Sequence, residues 1–312
     1  QMGFYAMGSH DIVQGTNCPI QDDGNNTIAQ VCYDIAKELD VEPYDEHTGK
    51  GVLRHVIGRI GQSGWMVILV TATEHLPHQE EWVERITNRI PQVETIVHNM
   101  NSKRTNVILG PNNNIFYGDG TITDHIKDLR FTLSPHSFFQ VNPEQTTVLY
   151  DQALAYADLK GDETVIDAYC GTGTISLFLA HKAKHVIGIE IVEPAIINAR
   201  ENARNNGYDN TEFIVADAAV EMPKLYKAGV RPDVIVFDPI RAGCKEEVLT
   251  SAAGMEPKRI VYVSCNPATM ARDIEILTHF GYELQEVQPV DMFPMTAHVE
   301  AVALLTRSET TQ

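Results

Sequence analysis

The chain places three reactive side chains at the ends of apolar runs. Cys265 lies in "VYVSCNPATMARD" (residues 261–273). A short β-branched run, Arg259 to Val263, precedes it, and helical spacing from Ala268 to Leu277 follows. Ligands of open α/β sheets bind at the carboxyl ends of strands. A thiol there can be a nucleophile; it can equally be a small buried hydrophobe, the usual fate of a free cysteine. Glu300, in "DMFPMTAHVEAV", opens a mostly apolar final run. A carboxylate entering a sheet without a cation is costly, so Glu300 either faces solvent or works as a base. His298 reads as a structural histidine. A third run, "VIVF", ends in Asp238-Pro239-Ile240-Arg241. An acid and a guanidinium at a strand end could orient a planar base by hydrogen bonds.

A fourth run, Val165 to Tyr169, leads into Cys170-Gly171-Thr172-Gly173-Thr174. Glycines there let the backbone turn sharply and come close to a ligand. Glu190 follows Gly171 by 19 residues, an offset at which an acid can accept from both ribose hydroxyls. A dinucleotide fingerprint needs a third glycine or alanine where this chain has Ser176, which argues against a dinucleotide oxidoreductase. Asp217 in "IVADAAV" fits a place beside an adenine, and fits a helix N-cap equally well. Phe138, Phe139 and Gln140 ("SPHSFFQVNPEQ") form an aromatic pair and an amide at an apparent domain junction, where an ordinary core contact is the simpler reading.

Two patterns position these residues. Residues 1–128 read as one α+β unit. It has a helix near 29–39, a hairpin over 51–60 and 65–71, a helix at 79–90, and strands at 94–99 and 105–109. "GPNNNIFYGDG" reads as turns. Residues 129–312 contain regular βα alternation. Strands are predicted at 164–168, 185–189, 211–215, 233–237 and 259–263, helices between them, and two final strands near 282–288 and 299–305. Such alternation predicts a doubly wound parallel sheet.

The 312 residues are 43% hydrophobic and carry a formal charge of −18, spread over both halves: 10 basic against 17 acidic residues in 1–130, and 14 against 25 in 131–312. Phosphate binding normally rests on basic surface, so tight non-specific nucleic-acid binding by these residues is not expected. No run of 18 apolar residues predicts a membrane helix, and no leader pattern is present. The five scattered cysteines form no CxxC pair, which suggests reduced thiols in a cytoplasmic protein. The start at Gln1, followed at once by a strand-like run, suggests a natural N-terminus further upstream.

Taken in order, FFQVN, DAYCGTGT, the Glu190 position, DPxR, SCNPATxARD and the terminal HVE span about 170 residues. Together they resemble the RNA uracil-5-methyltransferase family, the branch that makes 5-methyluridine in 23S ribosomal RNA, with a tRNA-modifying cousin. The resemblance implies a class I S-adenosylmethionine-dependent methyltransferase domain. It implies Gln140, Tyr169, Gly171, Glu190, Asp217 and Asp238 around the cofactor, and Phe139, Asp238 and Arg241 around an RNA base. Cys265 would be the nucleophile and Glu300 the base. It further implies an RNA substrate, no membrane association and a monomer. The segment with GSHDIV and Cys18-Pro19 resembles the family's central domain, in which a cysteine like Cys18 is one ligand of a [4Fe–4S] cluster in longer chains; a cluster cannot be built from Cys18 alone. Ile240 departs from the family's Asp-Pro-Pro-Arg and puts the rigidity of that loop in question. The alternatives are a 5-methylcytosine enzyme, which would carry a cysteine where Arg241 stands, and a non-catalytic RNA-binding factor.

Overall fold

The computed structural model describes every residue except Thr16, Phe138 and residues 309–312. The chain divides into two compact units, one of Gln1–His125 with Thr132–His136, the other of Ile126–Phe131 with Ser137–Gln312.

The first unit begins with a two-stranded ribbon, β1 (Gly3–Tyr5) and β2 (Ile12–Gln14), and helix α1 (Asp23–Glu38). A four-stranded sheet follows in the order β3-β4-β5-β6: β3 (Leu53–Ile60), β4 (Trp65–Thr71), β5 (Val93–Met100) and β6 (Asn112–Tyr117), with α2 (Gln79–Arg89) between β4 and β5. Ile28, Cys32 and Ile35 of α1 and Trp82 and Ile86 of α2 pack with Val67 and Leu69 of β4 in one core. The strand expected at 105–109 is irregular, and β6 instead runs through the stretch read as turns. Side-chain amides explain the exchange. Asn101 donates to the Val107 and Ile108 carbonyls, and Asn99 to the Gly110 carbonyl, so these three carbonyls are met by side chains and not by a ladder. Asn99 also donates to the Asn113 side chain, tying β6 to β5. A further ribbon, β7 (Ile122–Ile126) and β8 (Leu129–Leu133), of which Ile126–Phe131 count with the second unit, went unread in the sequence.

The second unit is an α/β layer structure. Its elements are α3 (Pro143–Ala157), β9 (Thr164–Ala168), α4 (Thr174–Ala180), β10 (His185–Glu190), α5 (Glu193–Asn205), β11 (Thr211–Val215), α6 (Ala218–Lys227), β12 (Val234–Phe237), α7 (Glu246–Gly254), β13 (Arg259–Ser264), α8 (Pro267–Thr278), β14 (Tyr282–Val290) and β15 (Glu300–Arg307). The sheet order is β11-β10-β9-β12-β13-β15-β14. The first five are parallel, and β15 alone is reversed, running antiparallel to both of its neighbours, β13 and β14. Helices cover both faces, so the strands read as continuous apolar runs; all four residues of β12 are buried. The chain order reverses between the neighbours β9 and β12, and the loops after these strands hold the Cys170–Gly173 turn and Asp238. Crevices of this kind are where open α/β sheets bind ligands. Among the described residues no helix is long and apolar enough to cross a membrane.

Candidate active site at the strand ends

Cys265 is presented by a local device. Ser264 Oγ accepts from the Asn266 N–H and donates to the Asn266 carbonyl, both at 3.0 Å. Asn266 Oδ1 caps α8 by accepting from the Ala268 N–H, and Pro267 starts the helix. The chain is thus fixed on either side of Cys265, whose side chain remains half-buried.

Glu300 arrives from the antiparallel strand. Ser264 pairs with Ala301 across β13 and β15, so Glu300 and Cys265 occupy the next step of that register. Glu300 is only 4% exposed, and burial raises its pKa despite the favourable field of Arg241. Of its two sequence readings, the solvent-facing one is excluded. Burial also raises the Cys265 thiol, as do Glu300 and Asp238, while Arg241 lowers it. Burial, then Glu300 and Asp167, push Asp238 well above the carboxylate range. Arg241 donates to His298 Nδ1 at 3.3 Å, a partnership the sequence did not suggest. Ile240 is 76% exposed and contributes nothing to the core. The turn it enters is closed by the Gly243 N–H donating to its carbonyl at 2.8 Å.

Around the glycine loop, Glu190 accepts from the Gly171 N–H (3.3 Å) and the Val192 N–H (2.9 Å). Tyr169 and Gly171 both adopt positive φ, 73° and 55°. A Cβ at Gly171 would meet nothing within 4 Å, leaving an open face in front of the loop, whereas one at Gly173 would press on Ala199 at 3.1 Å. Asp217 uses both oxygens: one caps α6 at the Ala219 N–H, the other pairs with Lys245 at 2.9 Å. Gln140 is half-buried. Phe139 is buried and packs on Phe131, ring centroids 5.7 Å apart, the ordinary core contact. Phe138 lies outside the described residues.

Two groups went unrecognised in the sequence. Asp167, fully buried on β9, accepts from Ser176 Oγ through one oxygen (2.5 Å), and its other oxygen has no partner among the described residues. Burial pushes its pKa up to about 7. Its signal was the acid opening "DAYCGTG". Tyr150 of α3 bonds Thr174 Oγ1 at 3.1 Å, and the Asp238, Asp167 and Glu300 carboxyls all act on its hydroxyl. Nothing in its helix hinted at this.

The donor set fits S-adenosylmethionine: an orphaned buried carboxylate oxygen for a cationic group, an open glycine face for the ligand, and a carboxylate for ribose. Such a sheet with this loop is that of a class I S-adenosylmethionine-dependent methyltransferase. The tRNA (uracil-5-)-methyltransferase family model matches residues 66–308. An uncharacterized RNA methyltransferase of Halalkalibacterium halodurans is 53% identical over 305 residues, covering 97% of this chain and 67% of that protein. One of Bacillus cereus is 52% identical over 309 residues, covering 98% and 67%. The crystal structure of Pyrococcus abyssi tRNA (uracil-54, C5)-methyltransferase, solved with S-adenosyl-L-homocysteine, superposes with a TM-score of 0.80 at 30% identity, covering 95% of this chain and 70% of that one. The chain belongs to the tRNA (uracil-5-)-methyltransferase family and is an RNA methyltransferase that uses S-adenosyl-L-methionine.

Cys18 is part of no cluster of metal-ligating side chains among the described residues. It is half-buried, its N–H donates to Asn26 Oδ1 at 3.0 Å, and among the described residues no group of three or more His, Cys, Asp or Glu is placed to hold a metal.

Two substitutions test the cofactor pocket. Glu190→Ala should weaken S-adenosylmethionine binding by roughly 1.5–3 kcal/mol, the range for a lost charge-assisted hydrogen bond. Unchanged affinity by calorimetry would remove Glu190 from the pocket. Asp167→Asn should trade binding for stability. The folded state holds the Asp167 proton up to about 7, whereas an unfolded aspartate releases it near 3.9. Its stabilising share is therefore complete below about pH 4 and is lost as pH rises toward 7. At pH 8 the amide should stabilise the cofactor-free protein by about 2–4 kcal/mol, with little gain at pH 4. It should also bind the cofactor less tightly. Equal gains at both pH values in thermal melts would refute the assignment.

Proposed function

We propose that the chain methylates C5 of a uridine in RNA, with Cys265 adding to C6 and Glu300 taking the C5 proton, and that the RNA is 23S ribosomal RNA. The observation that carries this reading is the convergence at one strand edge of a half-buried thiol, a buried carboxyl at the same step of the register and a guanidinium acting on both.

C5 of uracil is too weak a nucleophile to take a methyl group unaided. Addition of the Cys265 thiolate forms an Sγ–C6 bond and moves the double-bond electron pair toward C5 and O4. Asp238, whose environment favours the protonated form, can donate to O4, and Arg241 offsets the developing negative charge. S-adenosyl-L-methionine supplies the electrophilic methyl and leaves as S-adenosyl-L-homocysteine. Glu300 then accepts the C5 proton, and the freed electron pair rebuilds the double bond and expels the thiolate. The raised Glu300 pKa brings this base closer to neutrality, where general bases are most effective. The uridine must leave its stack to reach the strand ends. Gln140, Tyr169, Gly171, Glu190 and Asp217 would surround the cofactor, Phe139 would back the base, and the first unit would face RNA. The chain would act as a monomer.

Cys244 speaks against a 5-methylcytosine enzyme: it is buried, and its thiol is pushed up to about 12 by burial. The Cys265–Glu300 pair speaks against a non-catalytic factor. A second reading, a tRNA substrate, is favoured by the fold match to the archaeal tRNA enzyme. Mapping 5-methyluridine in ribosomal and transfer RNA from cells lacking the protein separates the two. Loss from 23S rRNA supports the first reading, loss from tRNA the second, and loss from neither overturns both.

A further inference from the structure

The motif after Cys265 continues through "ATMARD", and the chemistry above uses none of those residues. The structure shows where they go. Asn266 Nδ2 and Thr269 Oγ1 both donate to the Arg241 carbonyl, at 3.0 and 3.2 Å. Arg272 Nη2 donates to the Ala242 carbonyl at 2.9 Å. Asp273, fully buried, accepts the Cys244 N–H at 2.7 Å, the Tyr262 hydroxyl at 2.5 Å and the Arg272 guanidinium at 2.7 and 2.9 Å. Residues 266, 269 and 273 are spaced along one helix face, with 272 beside it. All four grip the turn that carries Arg241. Gly243 completes the fit: its φ is +77°, and a Cβ there would stand 2.6 Å from both Arg272 Nη2 and Asp273 Oδ2.

We propose that Asn266, Thr269, Arg272 and Asp273 are positioning residues that lock the 241–244 turn onto α8, the helix that begins beside Cys265, and so hold the Arg241 guanidinium against the thiol. Cys244 anchors the far end of the turn in the core, but the Arg241 end has no such anchor, since Ile240 is exposed and the second proline of the family motif is absent. Bonds from α8 supply the rigidity. One helix therefore sets both the nucleophile and the cation that favours its thiolate. The charged groups facing Cys265 are Glu300 from β15, Asp238 from the end of β12 and Arg241 from the turn, with His298 beside Arg241. Only Arg241 among them favours the thiolate, so loosening the turn leaves the two carboxyls unopposed.

The inference rests on the nucleophile assignment but can be tested without RNA. Cys265 alkylation by iodoacetamide is followed against pH on the whole chain, with peptide mass spectrometry separating it from the half-buried Cys18. Arg241→Gln sets the reference for loss of the cation. Thr269→Val and Arg272→Gln should raise the pH midpoint toward that reference, slowing alkylation at pH 8 about threefold. Thr269→Ser keeps the hydroxyl and should retain the wild-type midpoint. A merely loosened fold would raise the plateau rate instead of moving the midpoint. The proposal is overturned if Thr269→Val and Arg272→Gln keep the wild-type midpoint, if Thr269→Ser behaves as valine does, or if Arg241→Gln itself moves nothing. Failure to find 5-methyluridine would remove the proposed reaction and leave this measurement standing.

Discussion

Cys265→Ala is expected to lose methyl transfer by at least about 10⁴-fold, the scale of removing a covalent nucleophile. Binding of S-adenosylmethionine should be retained, because the glycine loop follows β9 while Cys265 follows β13. Without an Sγ–C6 bond, C5 never gains electron density. The wild-type rate should also carry a signature of this thiol. Burial and the Glu300 and Asp238 carboxyls raise its pKa above the ordinary value of about 8.5. The thiolate is the reactive form, so single-turnover methylation should climb with pH through neutrality and beyond that value. Substantial activity in the alanine variant, measured with labelled cofactor, would end the nucleophile assignment.

Glu300→Gln should fail at a different point. Thiolate addition and methyl transfer need no base, so both proceed, but the C5 proton then has no acceptor. Turnover is expected to fall by about 10²–10⁴-fold, and a denaturation-resistant protein–RNA band carrying labelled methyl should accumulate. If Glu300→Gln turns over normally and no adduct appears, the proton leaves by another route.

The βα alternation of the second unit was legible because strands buried on both faces are written as apolar runs between helices of regular spacing. As candidates, Cys265, Asp238 and Glu300 stood out for a related reason: each interrupts or ends such a run. What stayed hidden depends on three-dimensional neighbours. Tyr150 looks like any aromatic of an apolar helix, and only folding brings its hydroxyl among three carboxyls. His298 read as structural, and its partner, Arg241, became visible only in the fold. Asp217 stood equally between cap and ligand, and the structure shows it capping α6 while paired with Lys245. β6 was missed because asparagines signal turns, yet here the Asn99 side chain ties an asparagine-rich edge strand to β5.

The reversed strand β15 also determines which kinds of genetic change the site tolerates. Glu300 meets Cys265 because β15 runs against β13 in the register that pairs Ser264 with Ala301 and Arg259 with Thr306. Side chains alternate between sheet faces, so a slip of one residue turns every one of them over. A point substitution far along β15 leaves that count intact. A single-codon deletion between Ala301 and Thr306 does not: if the far end keeps its pairing, the glutamate rotates to the opposite face and the thiol loses its neighbour. Over evolutionary time, length at this strand should be guarded more strictly than residue identity, and a deletion scan should expose a dependence that an alanine scan of the same residues would pass over.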